Sequence, residues 1–204
     1  MTRVLLISGS TRNGSLHTAA LRTAARYAPP ELTAALYDGL SDLPAFVPGD
    51  PAPALVVTAL RRRVTDADAL LFSTPEYAGS LPGSLKNLLD WLVDGGELGG
   101  KPVAWLSVVA PGQDDGARAA LESVLDHGGA RLLRPACIRI PLDMSAVDGA
   151  GIVTDTRLHV ALQDMLQALV RGLATPEQRR PSWQAYSSVY PVVQQRQSWP
   201  GRLS

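Results

Sequence analysis

Cysteine is nearly absent from this sequence, since Cys137 is the single one among 204 residues. A lone cysteine excludes a disulfide framework within the chain, and this usage is expected in a reducing cytoplasm. The sequence has no CxxC pair and no cysteine–histidine cluster of the kind that holds zinc, so no metal site is predicted. Cys137 lies in the apolar segment 135–138, which favours a buried structural thiol over a nucleophile.

An excess of charge is also missing, because 19 basic residues balance 19 acidic ones and the formal net charge is zero. Nothing in this balance indicates the basic surface that nucleic acid or an anionic membrane requires. No apolar run approaches the roughly 18 residues of a membrane span, and the first residues lack the flanks of a signal peptide. We therefore expect a cytoplasmic protein whose partners are small molecules, with neither nucleic acid nor membrane among them.

What the chain does contain is a regular alternation of apolar strand-like runs and amphipathic helix-like segments. Strands are predicted at 4–7, 32–36, 69–72, 103–109 and 132–138, and helices at 16–27, 55–64, 81–92, 117–127 and 158–169. Such alternation predicts a parallel sheet with helices on both faces. Five strands fit the flavodoxin-like order 2-1-3-4-5, a doubly wound α/β domain over residues 1–175.

Residues 176–204 differ from the rest in composition and are interpreted as a C-terminal extension. They carry four prolines, several glutamines and two of the four tryptophans, Trp183 and Trp199. An extended arm that packs on a partner subunit and a disordered tail both fit this composition, although the tryptophans favour some covering.

The first predicted strand ends at a loop rich in hydroxyl groups and glycine, Ser8-Gly9-Ser10-Thr11-Arg12-Asn13-Gly14-Ser15. Ligands of open α/β sheets bind at the carboxyl ends of strands. A helix that begins there offers unpaired N–H groups and a positive dipole end, which together favour an anion. The loop lacks both the nucleoside triphosphatase and the Rossmann glycine patterns. A phosphate site and an N-capped surface turn both remain open on these residues alone.

The third predicted strand ends at a second loop, Pro75-Glu76-Tyr77-Ala78-Gly79-Ser80. Main-chain groups near Glu76, Tyr77 and Ala78 are suited to the edge of a flat heterocycle, and the Tyr77 ring is suited to its face. A half-exposed loop aromatic is the alternative for Tyr77. A helix cap or a surface carboxylate is the alternative for Glu76.

Two spaced motifs give the sequence a family resemblance. Gly9-Ser10-x-Arg12-x-x-Ser15 and Pro75-Glu76-Tyr77-x-Gly79-Ser80-x-Pro82-Gly83-x-Leu85-Lys86-Asn87-x-x-Asp90-Trp91 resemble the NAD(P)H-dependent FMN reductase family, over roughly residues 3–170. That family includes flavin, quinone, azo-dye and chromate reductases. The resemblance implies a flavodoxin-like fold, FMN as cofactor, NADPH or NADH as electron donor, and a homodimer or homotetramer.

The resemblance also implies which residues contact the cofactor. The phosphate is expected at Ser10, Arg12, Ser15, Leu16 and His17, and the isoalloxazine at Pro75, Glu76, Tyr77, Ala78 and Gly79. Ser107, at the end of the fourth strand, is expected near the pyrimidine side of the ring. No catalytic side chain is assigned, because the cofactor carries the chemistry.

Two parts of the sequence depart from the family pattern. His17 stands where asparagine is usual, and its side chain is interpreted as a phosphate donor, a helix cap or a solvent-facing group. Asp114 and Asp115 stand where a glycine pair often follows the fourth strand, which leaves nicotinamide access and the preference for NADPH open.

The function that follows is hydride transfer from NAD(P)H to flavin, and then to a quinone, flavin, azo or similar acceptor. One exposed flavin face serves both substrates in this scheme, which predicts ping-pong kinetics. The alternative is a flavodoxin-like electron-transfer or flavin-binding partner protein without nicotinamide turnover. The zero net charge favours the reductase, because flavodoxins tend to be strongly acidic.

Overall fold

A computed structural model describes residues 1–174. Its strands are β1 (Thr2–Ser8), β2 (Leu32–Tyr37), β3 (Ala69–Ser73), β4 (Pro102–Ser107), β5 (Arg131–Leu132) and β6 (Ile138–Arg139). Its helices are α1 (Leu16–Arg26), α2 (Leu55–Asp66), α3 (Gly83–Gly95), α4 (Asp115–His127) and α5 (Thr156–Ala174), with single 3-10 turns at Leu40–Asp42, Arg134–Ala136 and Met144–Ala146. The extension predicted for residues 176–204 lies outside the described residues.

The strands form a parallel sheet in the order β2-β1-β3-β4-β5, which confirms the predicted flavodoxin-like topology. β1 lies between β2 and β3, and Ser8 at its end is in register with Ser73 at the end of β3. The order reverses beside β1, since the chain moves outward to β2 and then crosses to β3. Ligands of such sheets bind at this reversal, outside the carboxyl ends of the strands.

The fifth strand position is shared by two short strands, where the sequence predicted one strand over 132–138. Leu132 pairs with Val103 and Ile138 pairs with Leu106, so both pieces run along β4. A 3-10 turn at Arg134–Ala136 separates them, with Pro135 inside it. Proline has no N–H to donate to a neighbouring strand, which explains why the ladder breaks there.

Alternate residues of each central strand face opposite layers of helix. Val4 and Leu6 of β1 pack with α1 and α5, whereas Leu5 and Ile7 pack with α2, α3 and α4. Side chains of a strand point to alternate faces, so a strand covered on both sides is apolar throughout. Each fully buried leucine or isoleucine contributes roughly 1.5–3 kcal/mol. Among the described residues, no helix is both long and apolar enough to cross a membrane.

The second half of the long motif has a structural task on α3. The Asn87 side chain accepts from the Phe46 N–H at 2.8 Å and donates to the Pro44 carbonyl at 2.9 Å. The buried Trp91 donates to the same carbonyl at 3.1 Å, and its ring meets Phe46 edge-on at 5.0 Å. These contacts fix the long loop between β2 and α2 against α3.

Candidate functional site

Three loops meet at the carboxyl edge of the sheet: the first loop (9–15), the second loop (74–82) and the third loop (108–114). The first two touch at Gly9, whose N–H donates to the Ser73 carbonyl at 2.8 Å. A Cβ on Gly9 would lie 2.2 Å from Thr74 Oγ1 and 2.8 Å from Leu85 Cδ2. Only glycine fits this approach, so Gly9 is required by packing and not by a special backbone angle.

The first loop presents the start of α1 without a side-chain cap. Ser15 occupies the N-cap position, yet its side chain makes no capping hydrogen bond, and the first turn carries no acidic residue. The Ser15 carbonyl accepts from the Ala19 N–H at 2.9 Å, so the N–H groups of residues 16–18 precede the first intrahelical bond. Such groups, at the positive end of the helix dipole, favour a bound anion.

Hydroxyl groups shape the rest of the first loop. Ser8 Oγ accepts from the Ser10 N–H, and Ser10 Oγ accepts from the Arg12 N–H, both at 3.3 Å. The Arg12 side chain is exposed beside them. The loop therefore sets a cation next to the uncapped helix start.

Two residues predicted to contact phosphate turn their side chains inward. Leu16 packs in the core, and His17 is 6% exposed with its Nδ1 3.0 Å from Ser73 Oγ. Burial, and secondarily the nearby Arg12, lower the pKa of His17 to about 4, so its ring is neutral at pH 7. The solvent-facing interpretation of His17 is therefore wrong. The main-chain N–H groups of both residues stay at the start of α1.

The second loop turns back on itself at Tyr77–Ser80. The N–H of each of these two residues donates to the carbonyl of the other, at 2.9 and 3.0 Å. Ala78 and Gly79 between them have φ values of +50° and +74°, as in a type I′ turn. Tyr77 is 53% exposed, and its main-chain groups are committed to the turn. The exposed ring is therefore the part of Tyr77 best placed to contact a ligand.

The Glu76 carboxylate is used inside the protein. Its Oε2 accepts from the Ala117 N–H at 2.9 Å, in the first turn of α4. A Cβ on the neighbouring Gly116 would lie 2.2 Å from the Gly79 carbonyl oxygen. Of the roles that the sequence left open for Glu76, the structure shows the helix cap.

Ser107 ends β4 as a buried hydroxyl without a partner. It is 3% exposed, and within residues 1–174 no group forms a hydrogen bond with its Oγ. It lines a small pocket together with Thr74, Asp114 and Arg118. A buried hydroxyl normally has a polar partner, so this pocket suits the polar edge of a heterocycle.

Asp114 ends the third loop and Asp115 begins α4, and each of these acids is paired with arginine. Arg139 donates to Asp114 at 2.6 Å and to Asp115 at 3.0 Å, and Arg118 donates to Asp115 at 2.8 Å. The hydrogen bonds from Arg118 and then Arg139 hold the pKa of Asp115 below its usual value. The acids therefore do not form an uncompensated negative patch beside the site. Across the described part of the chain, no group of three or more His, Cys, Asp or Glu residues is placed to hold a metal.

Thr74 and Arg139 are two residues of this site that the sequence-based predictions do not include. Thr74 directly follows β3, so the rule that selects residues after β1 would have found it. Arg139 offered no comparable signal, because it meets Asp114 from 25 positions away. The one available hint was that a buried carboxylate needs a cation.

Comparison with known proteins decides the family. The model of the family described as NADPH-dependent FMN reductase matches residues 2–140, which contain all three loops. The chain belongs to this family. Its relatives include an NAD(P)H-dependent FMN reductase of Pseudomonas aeruginosa, 38% identical over 175 residues, or 82% of this chain and 92% of the relative. A 2-hydroxy-1,4-benzoquinone reductase of a Burkholderia species is 32% identical over 178 residues, or 83% and 96%.

Solved structures agree with this assignment. The flavoenzyme FerB of Paracoccus denitrificans, an NAD(P)H:acceptor oxidoreductase, superposes with a TM-score of 0.68 at 29% identity, over 85% of this chain and 98% of its own. A flavodoxin variant from Pseudomonas aeruginosa superposes with a TM-score of 0.56 at 19% identity, over 83% and 99%, and shows the fold alone. The predicted family, fold and enzyme class are confirmed: an FMN- and NAD(P)H-dependent oxidoreductase.

The residues present fit FMN. The uncapped start of α1 beside Arg12 suits a phosphate, and the unpartnered Ser107 hydroxyl suits a polar ring edge. The individual contact residues remain predictions.

Proposed function

We propose that this NAD(P)H-dependent, FMN-containing reductase delivers its electrons to a quinone or a similar small oxidant, such as a free flavin or an azo compound. The observation that supports FMN binding is the start of α1, where Ser15 leaves its own helix uncapped and Arg12 lies beside it. The quinone reductase from Burkholderia, which is similar to 83% of this chain, supports the choice of acceptor.

The first loop would hold the phosphate. The N–H groups of residues 16–18, the hydroxyls of Ser10 and Ser15, and the Arg12 guanidinium are the donors available there. Hydrogen bonds to a charged group contribute roughly 1.5–3 kcal/mol each. A phosphate dianion that accepts several such hydrogen bonds would remain bound through turnover.

The second and third loops would orient the ring. Pro75 to Gly79 would border it, the exposed Tyr77 ring would lie against it, and Ser107 would meet its polar edge. When bound, FMN would accept hydride from NAD(P)H and pass it on. The chain's own task is to orient the ring and to leave one face open, so we assign no catalytic acid or base.

Redox spectroscopy tests the proposal. Purified protein reconstituted with FMN should be yellow, bleach on anaerobic addition of NADPH or NADH, and regain its colour with 1,4-benzoquinone. Initial rates with both substrates varied should give the parallel lines of a ping-pong reaction. A comparison of the two nucleotides gives the donor preference.

A matched pair of arginine variants connects the activity to the first loop. Arg12→Ala should weaken FMN binding at least tenfold, because a charge-assisted contact to phosphate is lost. Arg26→Ala removes an exposed arginine at the opposite end of the same helix and should leave affinity unchanged. Protein that binds FMN but is not bleached by either nucleotide would favour an electron carrier instead.

We also propose a homodimer or homotetramer in the cytoplasm. The family resemblance supports the assembly, and the single cysteine supports the compartment. Light scattering of the purified protein measures the first, and fractionation of the source cells measures the second.

A further inference from the structure

A buried polar pair joins the first loop to the second. His17, in the first turn of α1, has its Nδ1 3.0 Å from the Oγ of Ser73, the last residue of β3. Both side chains are inaccessible, with His17 6% and Ser73 1% exposed. The pair therefore links the helix that begins at the first loop with the strand that ends in the second.

Ser73 is the shared partner at this junction. Its carbonyl accepts from the Gly9 N–H at 2.8 Å, while its hydroxyl pairs with His17. Close by, Ser8 Oγ and Thr18 Oγ1 are 2.7 Å apart and tie the end of β1 to the same helix turn. The ends of β1 and β3 and the start of α1 are thus fixed to one another by hydrogen bonds, of which the His17–Ser73 bond is buried and the Ser8–Thr18 bond is partly buried.

The His17 ring holds this place as a neutral group. Its pKa of about 4, which results from burial and then from Arg12, leaves it uncharged throughout the neutral range. A neutral ring already engaged by Ser73 is poorly suited to serve as a cationic phosphate ligand. It is well suited to maintain geometry, because a satisfied buried hydrogen bond is costly to break.

We propose that His17 is a positioning residue for FMN, which acts through Ser73 to fix the first loop relative to the second. This inference rests on the proposed FMN site and deepens it, because it assigns the residue a role other than that of a phosphate ligand. Preorganised loops bind a ligand more tightly, since less ordering remains to be done on binding.

Affinities for FMN and for riboflavin, which has no phosphate, separate the two roles. Ser73→Ala and His17→Leu should each weaken both ligands about five- to tenfold and keep the preference for FMN over riboflavin. The double variant should be no weaker than the worse single variant, because the contact is already lost. Arg12→Ala is the reference for a phosphate contact, since it should lower that preference.

Two further measurements distinguish a neutral hydrogen-bonding role of His17 from a cationic one. His17→Gln retains a hydrogen-bonding side chain and should recover part of the affinity lost in His17→Leu. The ratio of FMN affinities between wild type and His17→Gln should stay constant from pH 8 to pH 5.5. Circular dichroism establishes that each variant is folded, and Ser73→Ala, the smaller change, decides the matter if His17→Leu is not.

Three results would overturn the inference. One is a loss of FMN affinity in the His17 variants with riboflavin affinity intact, which indicates a phosphate ligand. Another is unchanged affinity for both ligands in Ser73→Ala. The third is a wild-type advantage over His17→Gln that grows as pH falls, which indicates a cation. Wild-type protein that binds neither flavin would refute the proposed function itself.

Discussion

The carboxylate of Glu76 accepts a hydrogen bond from the main-chain N–H of Ala117, 2.9 Å away and 41 positions further along the chain. The bond attaches the second loop to the first turn of α4, where a carboxylate also opposes the positive end of the helix dipole. Beside it, the Gly79 carbonyl packs so closely on Gly116 that a Cβ there would meet it at 2.2 Å. The loop predicted to border the flavin ring is thus held in place by the helix of the next crossover.

Removal of this cap should destabilise the protein and loosen the second loop. Glu76→Ala should lower the free energy of unfolding by about 1 kcal/mol, the usual cost of a lost N-cap. FMN affinity should fall several-fold, because the ring would meet a less ordered loop. Urea unfolding and titration of flavin fluorescence measure the two effects.

Glu76→Gln keeps an acceptor oxygen and should lie between wild type and Glu76→Ala in both measurements. Glu31→Ala removes an exposed carboxylate between α1 and β2 and serves as the control. Equal losses of stability and FMN affinity in Glu76→Gln and Glu76→Ala would mean that the charge of Glu76, and not its acceptor geometry, is responsible for both effects.

Gly9→Ala should be among the most damaging small substitutions in the chain. The added methyl group would lie 2.2 Å from Thr74 Oγ1, so the first two loops would have to separate. We expect a loss of about 1–3 kcal/mol in stability, typical of overpacking, together with at least tenfold weaker FMN binding. Gly83→Ala is the matched control, because nothing lies within 4 Å of its added Cβ. Normal FMN affinity in Gly9→Ala would show that the site tolerates separated loops.

The sequence was sufficient for features that repeat along the chain. Alternating apolar runs predicted the strand order, because buried parallel strands and amphipathic helices each have a local signature. The loop after β1 was identifiable because hydroxyls, glycine and arginine directly follow an apolar strand. These signals need only neighbouring residues.

Contacts between distant segments were beyond the sequence. The Asp114–Arg139 pair and the His17–Ser73 hydrogen bond join residues 25 and 56 positions apart, and neither member of a pair points to its partner. The break in the fifth strand was more accessible, because Pro135 cannot donate to a ladder. For Glu76, residue type alone could not distinguish a ligand from a cap.

The backbone of Ala78 offers a stability gain within the second loop. Its φ of +50° is disfavoured for residues with a Cβ, and type I′ turns prefer Asn or Gly at this position. Ala78→Asn and Ala78→Gly should each raise the free energy of unfolding, by about 1 kcal/mol for relieved strain. Gly79→Ala, at a φ of +74° with nothing near its added Cβ, should lower it by a similar amount. Urea unfolding measures all three, and a loss of stability in Ala78→Asn would refute the strain.

His17 should give the protein a loss of stability in mild acid. Its pKa is about 4 in the folded state, against 6.5 for an unperturbed histidine. Above pH 6.5 the ring is neutral in both states, and this contribution to stability is fully present. As pH falls from 6.5 towards 4, the unfolded chain takes up a proton that the folded chain does not, which favours unfolding. By pH 5 the loss amounts to about 2 kcal/mol.

Urea unfolding at pH 7.5 and pH 5, without FMN so that ligand binding adds nothing to the measured stability, measures this loss. His17→Gln should be less stable than wild type at pH 7.5 but should lack the His17 share of the decrease, so the two proteins should converge at pH 5. His127→Gln alters an exposed histidine at the end of α4 and should retain the wild-type decrease. Carboxylates whose pKa is lowered by arginine, such as Asp115, stop contributing to stability only at a lower pH. They therefore do not affect the comparison between pH 7.5 and pH 5. Parallel decreases in wild type and His17→Gln would mean that the buried ring is not what makes the fold sensitive to acid.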